Sequence, residues 1–227
     1  AVYMHSVLLD DASPSLAAPL NPALFEGLWP QADQQAAAVP DYRSPECPGC
    51  PNRNWGRAVA ATIGVNAIFT LTNLAFRPDE RYEFQVTPRT WWDNLKYGFI
   101  FDDNNFLINQ FGHPYQGGLY FSTGRANGLN YWESSVLVAL GSFTWECCGE
   151  TNRASMNDYF STTMGGMVMG EIQHRMATLV LDTTATEGRI AREVAAAVID
   201  PVGGFFRIIH GEWGKVRENR PDRRPDV

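Results

Sequence analysis

Between Gly141 and Arg175 the chain reads GSFTWECCGETNRASMNDYFSTTMGGMVMGEIQHR, and ionisable side chains recur there among Trp, Met, Cys and Gly. Glu146 and Glu150 are four apart, so on a helix they share one face. Beyond a short polar break at Thr151–Ala154, Asn157, Ser161, Glu171 and Arg175 fall on one face of a second helical segment. Carboxylates in such apolar company are expensive to bury unless they are paired or used. The spacing therefore predicts one buried polar cluster made of Glu146, Glu150, Asn157, Asp158, Glu171 and Arg175. Asn66 and Asn73 are expected to face it, and Arg175 to compensate the carboxylates. His113 and Arg125 join the candidates because they flank a Gly-rich run that also holds Tyr115 and Tyr120.

Two chemistries compete for such a set. Glu171-Ile-Gln-His174 matches the Glu-x-x-His element of di-iron bundles, with Glu146 and Glu150 able to supply further oxygens. Such centres use that element twice, this chain has it once, and Arg175 is a cation beside it. No metal and no other cofactor is thus expected, with Glu146, Glu150, Glu171 and His174 as the alternative ligand set. A hydrolase pairing His113 with Glu146 or Glu150 lacks a Gly-x-Ser-x-Gly elbow. The Asp102-Asp103-Asn104-Asn105 run could hold a hard cation, but a turn is the commoner meaning of such a cluster.

The elements that must position these residues read as helices. Asn54 can cap a helix from Trp55 to about Asn73, mostly apolar but with a stripe of Thr62, Asn66, Thr70 and Asn73. Thr87-Pro88 opens a second helix rich in aromatics. His113 precedes proline and is expected at a break, since that position disfavours helical angles. Asn130 with Glu133, Ser155 with Asp158, and Thr184 with Glu187 have capping-box spacing, the last opening a helix over 187–199 that Pro201 ends. A structural role is thereby open to Glu133 and Asp158. Gly165, Gly166 and Gly170 inside a helix imply close approach of a neighbour.

The expected architecture is all-α. A single compact domain of about six helices spans 53–211, between an extended Pro/Ala-rich arm over 1–52 and a charged, flexible tail over 212–227. The 227 residues suffice for one core, and a net charge of −7 without a basic stripe excludes a nucleic-acid surface. The longest apolar run considered, Ser134–Trp145, is too short to span a bilayer, so no transmembrane helix is expected. Cys47-Pro-Gly-Cys50 has the spacing of redox sites and of half a zinc site. Its proline-locked loop favours a local disulfide clip over either.

Several strings occur together: Asn94-Leu-Lys-Tyr-Gly-Phe with Asp102 following, Asn109 then His113-Pro-Tyr, Gly118-Leu-Tyr-Phe, and Arg125-Ala-Asn-Gly. Gly141-Ser, Trp145-Glu, Glu150, Ser155-Met-Asn-Asp158, Gly165-Gly and Gly170-Glu171 complete the set. In combination they resemble the bacterial family called domain of unknown function 3943, over roughly Trp55 to Gly211. The resemblance implies an exported protein of the periplasm or outer membrane, with a lipid or an envelope assembly as partner, and it brings no established activity. The exported character implies that Cys47 and Cys50 are linked and that Cys147 and Cys148 are buried thiols.

Overall fold

A computed structural model describes residues 52–102 and 106–216, and all of the regular structure there is helical. Eight α-helices occur among the described residues: α1 (Trp55–Phe76), α2 (Pro88–Tyr97), α3 (His113–Ala126), α4 (Tyr131–Cys148), α5 (Met156–Phe160), α6 (Gly166–Leu181), α7 (Arg189–Ile199) and α8 (Pro201–Ile209). The arm and the Cys47–Cys50 pair lie outside the described residues, as do Asp103, Asn104 and Asn105 of the acidic run.

Local chemistry sets most boundaries. The Asn54 side chain accepts the Arg57 N–H at 2.8 Å and starts α1, and Pro78 follows its end. Thr87 and Thr90 form a reciprocal cap on α2, as do Asn130 and Glu133 on α4. The third expected cap does not form. Thr184 turns to Asp182, and α7 starts two residues later than expected, after Gly188 at φ +62°. Helix α7 ends at Ile199, as Pro201 announces, and Pro201 itself opens a further helix. It occupies the first turn of α8, where its missing N–H is no loss, and Asp200 caps that helix through the Gly203 N–H.

His113 is the larger correction, because it is helical, at φ −63° and ψ −46°. The turn before it, Ile108–Gly112, is a π-helix, in which the His113 N–H reaches back to the Ile108 carbonyl. Widening the backbone there accommodates Pro114, which can offer no N–H of its own. A second π-turn, Ser161–Gly165, joins α5 to α6 in the same manner.

Helix α3 is central and packs against α1, α4, α6 and α8. Its contact with α6 requires glycine. A Cβ on Gly117 would lie 2.1 Å from the Thr162 carbonyl oxygen, and one on Gly170 2.5 Å from Phe121. Tyr120, Phe121 and Val138 fill the adjoining core with Val65 of α1. The polar stripe of α1 divides. Thr62 bonds Thr123 at 2.8 Å in the interior, Asn66 bonds Thr144 and Tyr120, and Asn73 bonds its own helix at Phe69.

Among the described residues, many large apolar side chains are exposed while a set of polar ones is enclosed. Phe76 and Phe101 are both 81% exposed and Trp132 73%, while Thr62, Thr123, Asn127 and Ser134 are wholly enclosed. Helix α1 has a mean hydropathy of 1.6 over its most apolar window, of which 11% is buried. At 22 residues it is, by length and composition, long and apolar enough to cross a membrane, which the Ser134–Trp145 run is not. Its uncharged Thr and Asn residues interrupt the apolar pattern without greatly lowering its hydropathy.

A candidate histidine–carboxylate centre

Three helix ends and one extended segment meet at the polar centre. The last turn of α4 brings Glu146 inward, α3 begins with His113, and α5 carries Asn157 and Asp158 in its first turn. The extended segment is held by a parallel bridge between Ile100 and Ser155, which places Asp102 against α5. There Asn157 donates to Asp102 at 2.6 Å and to Asp158 at 3.1 Å, and accepts the Asp102 N–H at 3.0 Å.

Each inner side chain is fixed from behind. The Ser155 N–H donates to Oε2 of Glu146 at 2.8 Å, and Ser155 Oγ caps α5 through the Asp158 N–H. Glu150, just past α4, accepts the Trp145 indole N–H at 3.0 Å. His113 Nε2 lies 3.3 Å from Oδ2 of Asp158, and one donor atom from each of His113, Glu146 and Asp158 falls within 4.8 Å of the other two. All three are buried.

The electrostatics follow from enclosure. Burial pushes the Glu146 carboxyl up to about 9, partly opposed by the Ser155 N–H and reinforced by the charges of Glu150, Asp158 and Asp102. Burial raises Glu150 as well, against the Trp145 bond and the attraction of His113. No lysine or arginine pairs with Glu146 or Glu150 among the described residues.

The sequence-derived cluster is thus divided among separate places. Glu146, Glu150, Asn157, Asp158 and His113 come together. Glu171 forms an ion pair with Arg175 at 2.7 Å and with Arg125 at 3.4 Å, and Arg175 is largely exposed. Arg175 therefore compensates Glu171 rather than the α4 carboxylates. Asn66 belongs to the Tyr120–Thr144 network, and Asn73 to its own helix. His174 is buried on α6, outside the histidine–carboxylate trio. Asp102 was weighed only within an acidic run read as a turn, and Ser155 only within the Ser-Met-Asn-Asp string that pointed to a cap.

Cys147 and Cys148 are joined to each other as a vicinal disulfide, where buried thiols were expected. On the outer side, α1, α3 and α8 enclose an apolar groove of about 500 Å³, lined among others by Gly64, Ile68, Phe69, Leu119 and Phe205.

Neither a curated protein nor a solved structure matches this chain. Residues 98–202, from the segment before Asp102 to the first turn of α8, match the family model described as domain of unknown function (DUF3943). That stretch contains His113, Glu146, Glu150, Asn157 and Asp158, and over it the chain is similar to the DUF3943 domain.

Proposed function

We propose that this chain is an exported, envelope-associated helical domain that lies against lipid and encloses a ligand site at its histidine–carboxylate centre. The observation that carries the reading is the inverted distribution of polarity. Helix α1 is apolar on nearly all sides rather than along one stripe, while His113, Glu146 and Asp158 are enclosed. A protein partner would be expected to cover one face of such a helix, whereas acyl chains can cover all of its free surface. At about 1.5 Å per residue, the 22 residues of α1 reach about 33 Å, close to the thickness of a bilayer's hydrocarbon layer. Trp91, Trp92 and Tyr97 on α2 are exposed aromatics of the kind that settle at a lipid–water boundary. The Cys147–Cys148 disulfide suits an oxidising compartment outside the cytoplasm.

Flotation with phosphatidylethanolamine–phosphatidylglycerol vesicles tests the lipid reading. The purified chain is expected to rise with the vesicles at low and high salt alike, because apolar contact is not screened. The double variant Ile68→Lys, Leu71→Lys changes two exposed α1 positions and should rise less while keeping its helical circular dichroism. A chain that stays monomeric and detergent-free at the bottom of the gradient would overturn the reading.

A further inference from the structure

We infer that His113, Glu146 and Asp158 form a three-ligand site for a divalent transition cation of the zinc or manganese class. The inference rests on the ligand-site half of the proposed function and is independent of lipid association. Three observations lead to it.

The donors are one imidazole nitrogen and two carboxylate oxygens from three separate helices, with mutual separations within 4.8 Å. Metal–ligand bonds of about 2.0–2.2 Å bring donors to within about 4.4 Å of each other even when they are opposite. Small side-chain rotations would therefore close the trio around an ion.

His113 has its side chain more than nine-tenths buried, yet neither ring nitrogen takes part in a hydrogen bond. A buried imidazole without such a bond loses its hydration with only the 3.3 Å approach of Asp158 in return. A metal ion at Nε2 or Nδ1 would supply the missing contact.

The carboxylates are already oriented as ligands. Glu146 Oε2 is occupied by the Ser155 N–H and Asp158 Oδ1 by the Asn157 amide, while Asp158 Oδ2 faces His113. Outer-shell hydrogen bonds of this kind fix the direction of a ligating oxygen. Among the described residues no lysine or arginine pairs with Glu146 or Glu150, so a dication would enter the site without competing with a side-chain cation there. The imidazole donor argues for zinc or manganese over calcium or magnesium, which prefer all-oxygen shells. Three protein donors leave at least one position open to water or a further ligand.

The competing Glu171–His174 set is less suited, because Glu171 is already paired with Arg125 and Arg175.

The test uses the full chain in detergent with Cys47→Ser and Cys50→Ser, so that the Cys-Pro-Gly-Cys loop takes no metal. After chelator stripping, zinc and manganese chlorides are titrated calorimetrically, with magnesium and calcium chlorides as comparisons, and cobalt substitution is followed by visible absorption. One equivalent of zinc or manganese should bind. Glu146→Gln, Asp158→Asn and His113→Ala should each weaken binding more than about 100-fold, and Asn157→Ala, which supports Asp158 from behind, about 10–100-fold. His174→Ala and Glu171→Gln should bind as the parent does. Circular dichroism identifies any variant that has not folded, and the near-isosteric Glu146→Gln keeps the test decisive if His113→Ala has not. Absence of binding, or equal binding by the parent and Glu146→Gln, overturns the inference. Flotation without cation binding removes the ion and leaves the lipid reading standing, and cation binding without flotation does the reverse.

Discussion

Nε2 of His113 stands 3.3 Å from Oδ2 of Asp158, and each residue lies on a helix broken by a π-turn within three residues of it. A π-turn inserts one residue into a helix and rotates everything beyond it by about 100° relative to a regular continuation. On the first helix the turn turns His113 inward while Phe106 and Phe111 stay outside. On the second it separates Asn157 from Glu171, which a regular helix would place on nearly the same face. The centre is therefore a product of two local irregularities.

The closeness of the helices carrying those turns depends on Gly117. A Cβ there would meet the Thr162 carbonyl oxygen at 2.1 Å, a backbone atom that cannot swing aside. Gly117→Ala should destabilise the fold by about 3 kcal/mol. Gly64→Ala on α1 has nothing within 4 Å of its new methyl and should be neutral or stabilise by up to about 1 kcal/mol through helix propensity. Thermal melts of the two variants measure the contrast, and equal melting temperatures would refute the close-approach account.

Tyr120 offers a second test of the packing, because its hydroxyl is the meeting point of α1 and α3. It donates to Oδ1 of Asn66 and accepts from Nε2 of Gln116, entirely out of solvent. Tyr120→Phe keeps the ring but leaves both amides short of a partner, which should cost about 1–3 kcal/mol. Asn66→Leu in addition should cost less than the sum of the two single changes, since it removes one orphaned amide. A double variant whose loss equals that sum would show that the two groups are not coupled.

The fold class was legible because helix starts are local. Asn54, Thr87 and Asn130 each cap the helix that their position announces, since a capping side chain needs only backbone two or three residues away. Glu146, Glu150, Asn157, Asp158 and His113 were legible as candidates because polar groups stood out in apolar surroundings. Their grouping was less so. Assigning Glu171 and Arg175 to the same cluster assumed 3.6-residue periodicity across Ser161–Gly165, where the helix is π. The pre-proline rule placed His113 at a break, yet the widened turn before it lets the helix pass through Pro114. The alternation of Thr and Asn along α1 was likewise no guide to its exposure, because two of those side chains bond to neighbouring helices and leave the rest of the surface apolar.

Glu146 should oppose stability as it stands. Its carboxyl is enclosed beside Asp158 and Glu150, and no lysine or arginine among the described residues pairs with it. In cation-free protein near neutral pH enclosure holds that carboxyl protonated, and Glu146→Gln removes the cost of that proton uptake while its amide oxygen can still accept the Ser155 N–H. The variant is expected to melt a few degrees above the parent, as when a functional residue is exchanged for a better-packed one. A lower melting temperature would mean that the carboxylate contributes to the fold.

Glu193 is a charged group in the opposite situation. Its side chain is wholly enclosed, and it accepts from Arg189 at 2.7 Å, from Arg207 at 2.9 and 2.8 Å, and from the Gly214 N–H at 2.9 Å. Burial alone would raise its carboxyl. The Arg207 and Gly214 hydrogen bonds, with the charges of both arginines, outweigh burial and hold it below the usual 4.5. A carboxyl depressed in the fold contributes stability that is fully present above its unfolded value and is lost as pH falls through the lower folded value. The parent should therefore lose stability as the pH drops below about 4.5, and Glu193→Gln should lose that portion of the slope. At neutral pH the same substitution leaves two arginines without their shared carboxylate and should cost about 3–5 kcal/mol. Asp200, whose carboxyl is raised by burial, has the opposite sign, so Asp200→Asn should keep the acid slope while preserving the cap on α8. Urea midpoints measured in steps from neutral to strongly acidic pH resolve the three curves. An identical acid slope in the parent and Glu193→Gln would remove Glu193 as the group that ties α7 to α8 and to the first residues of the tail.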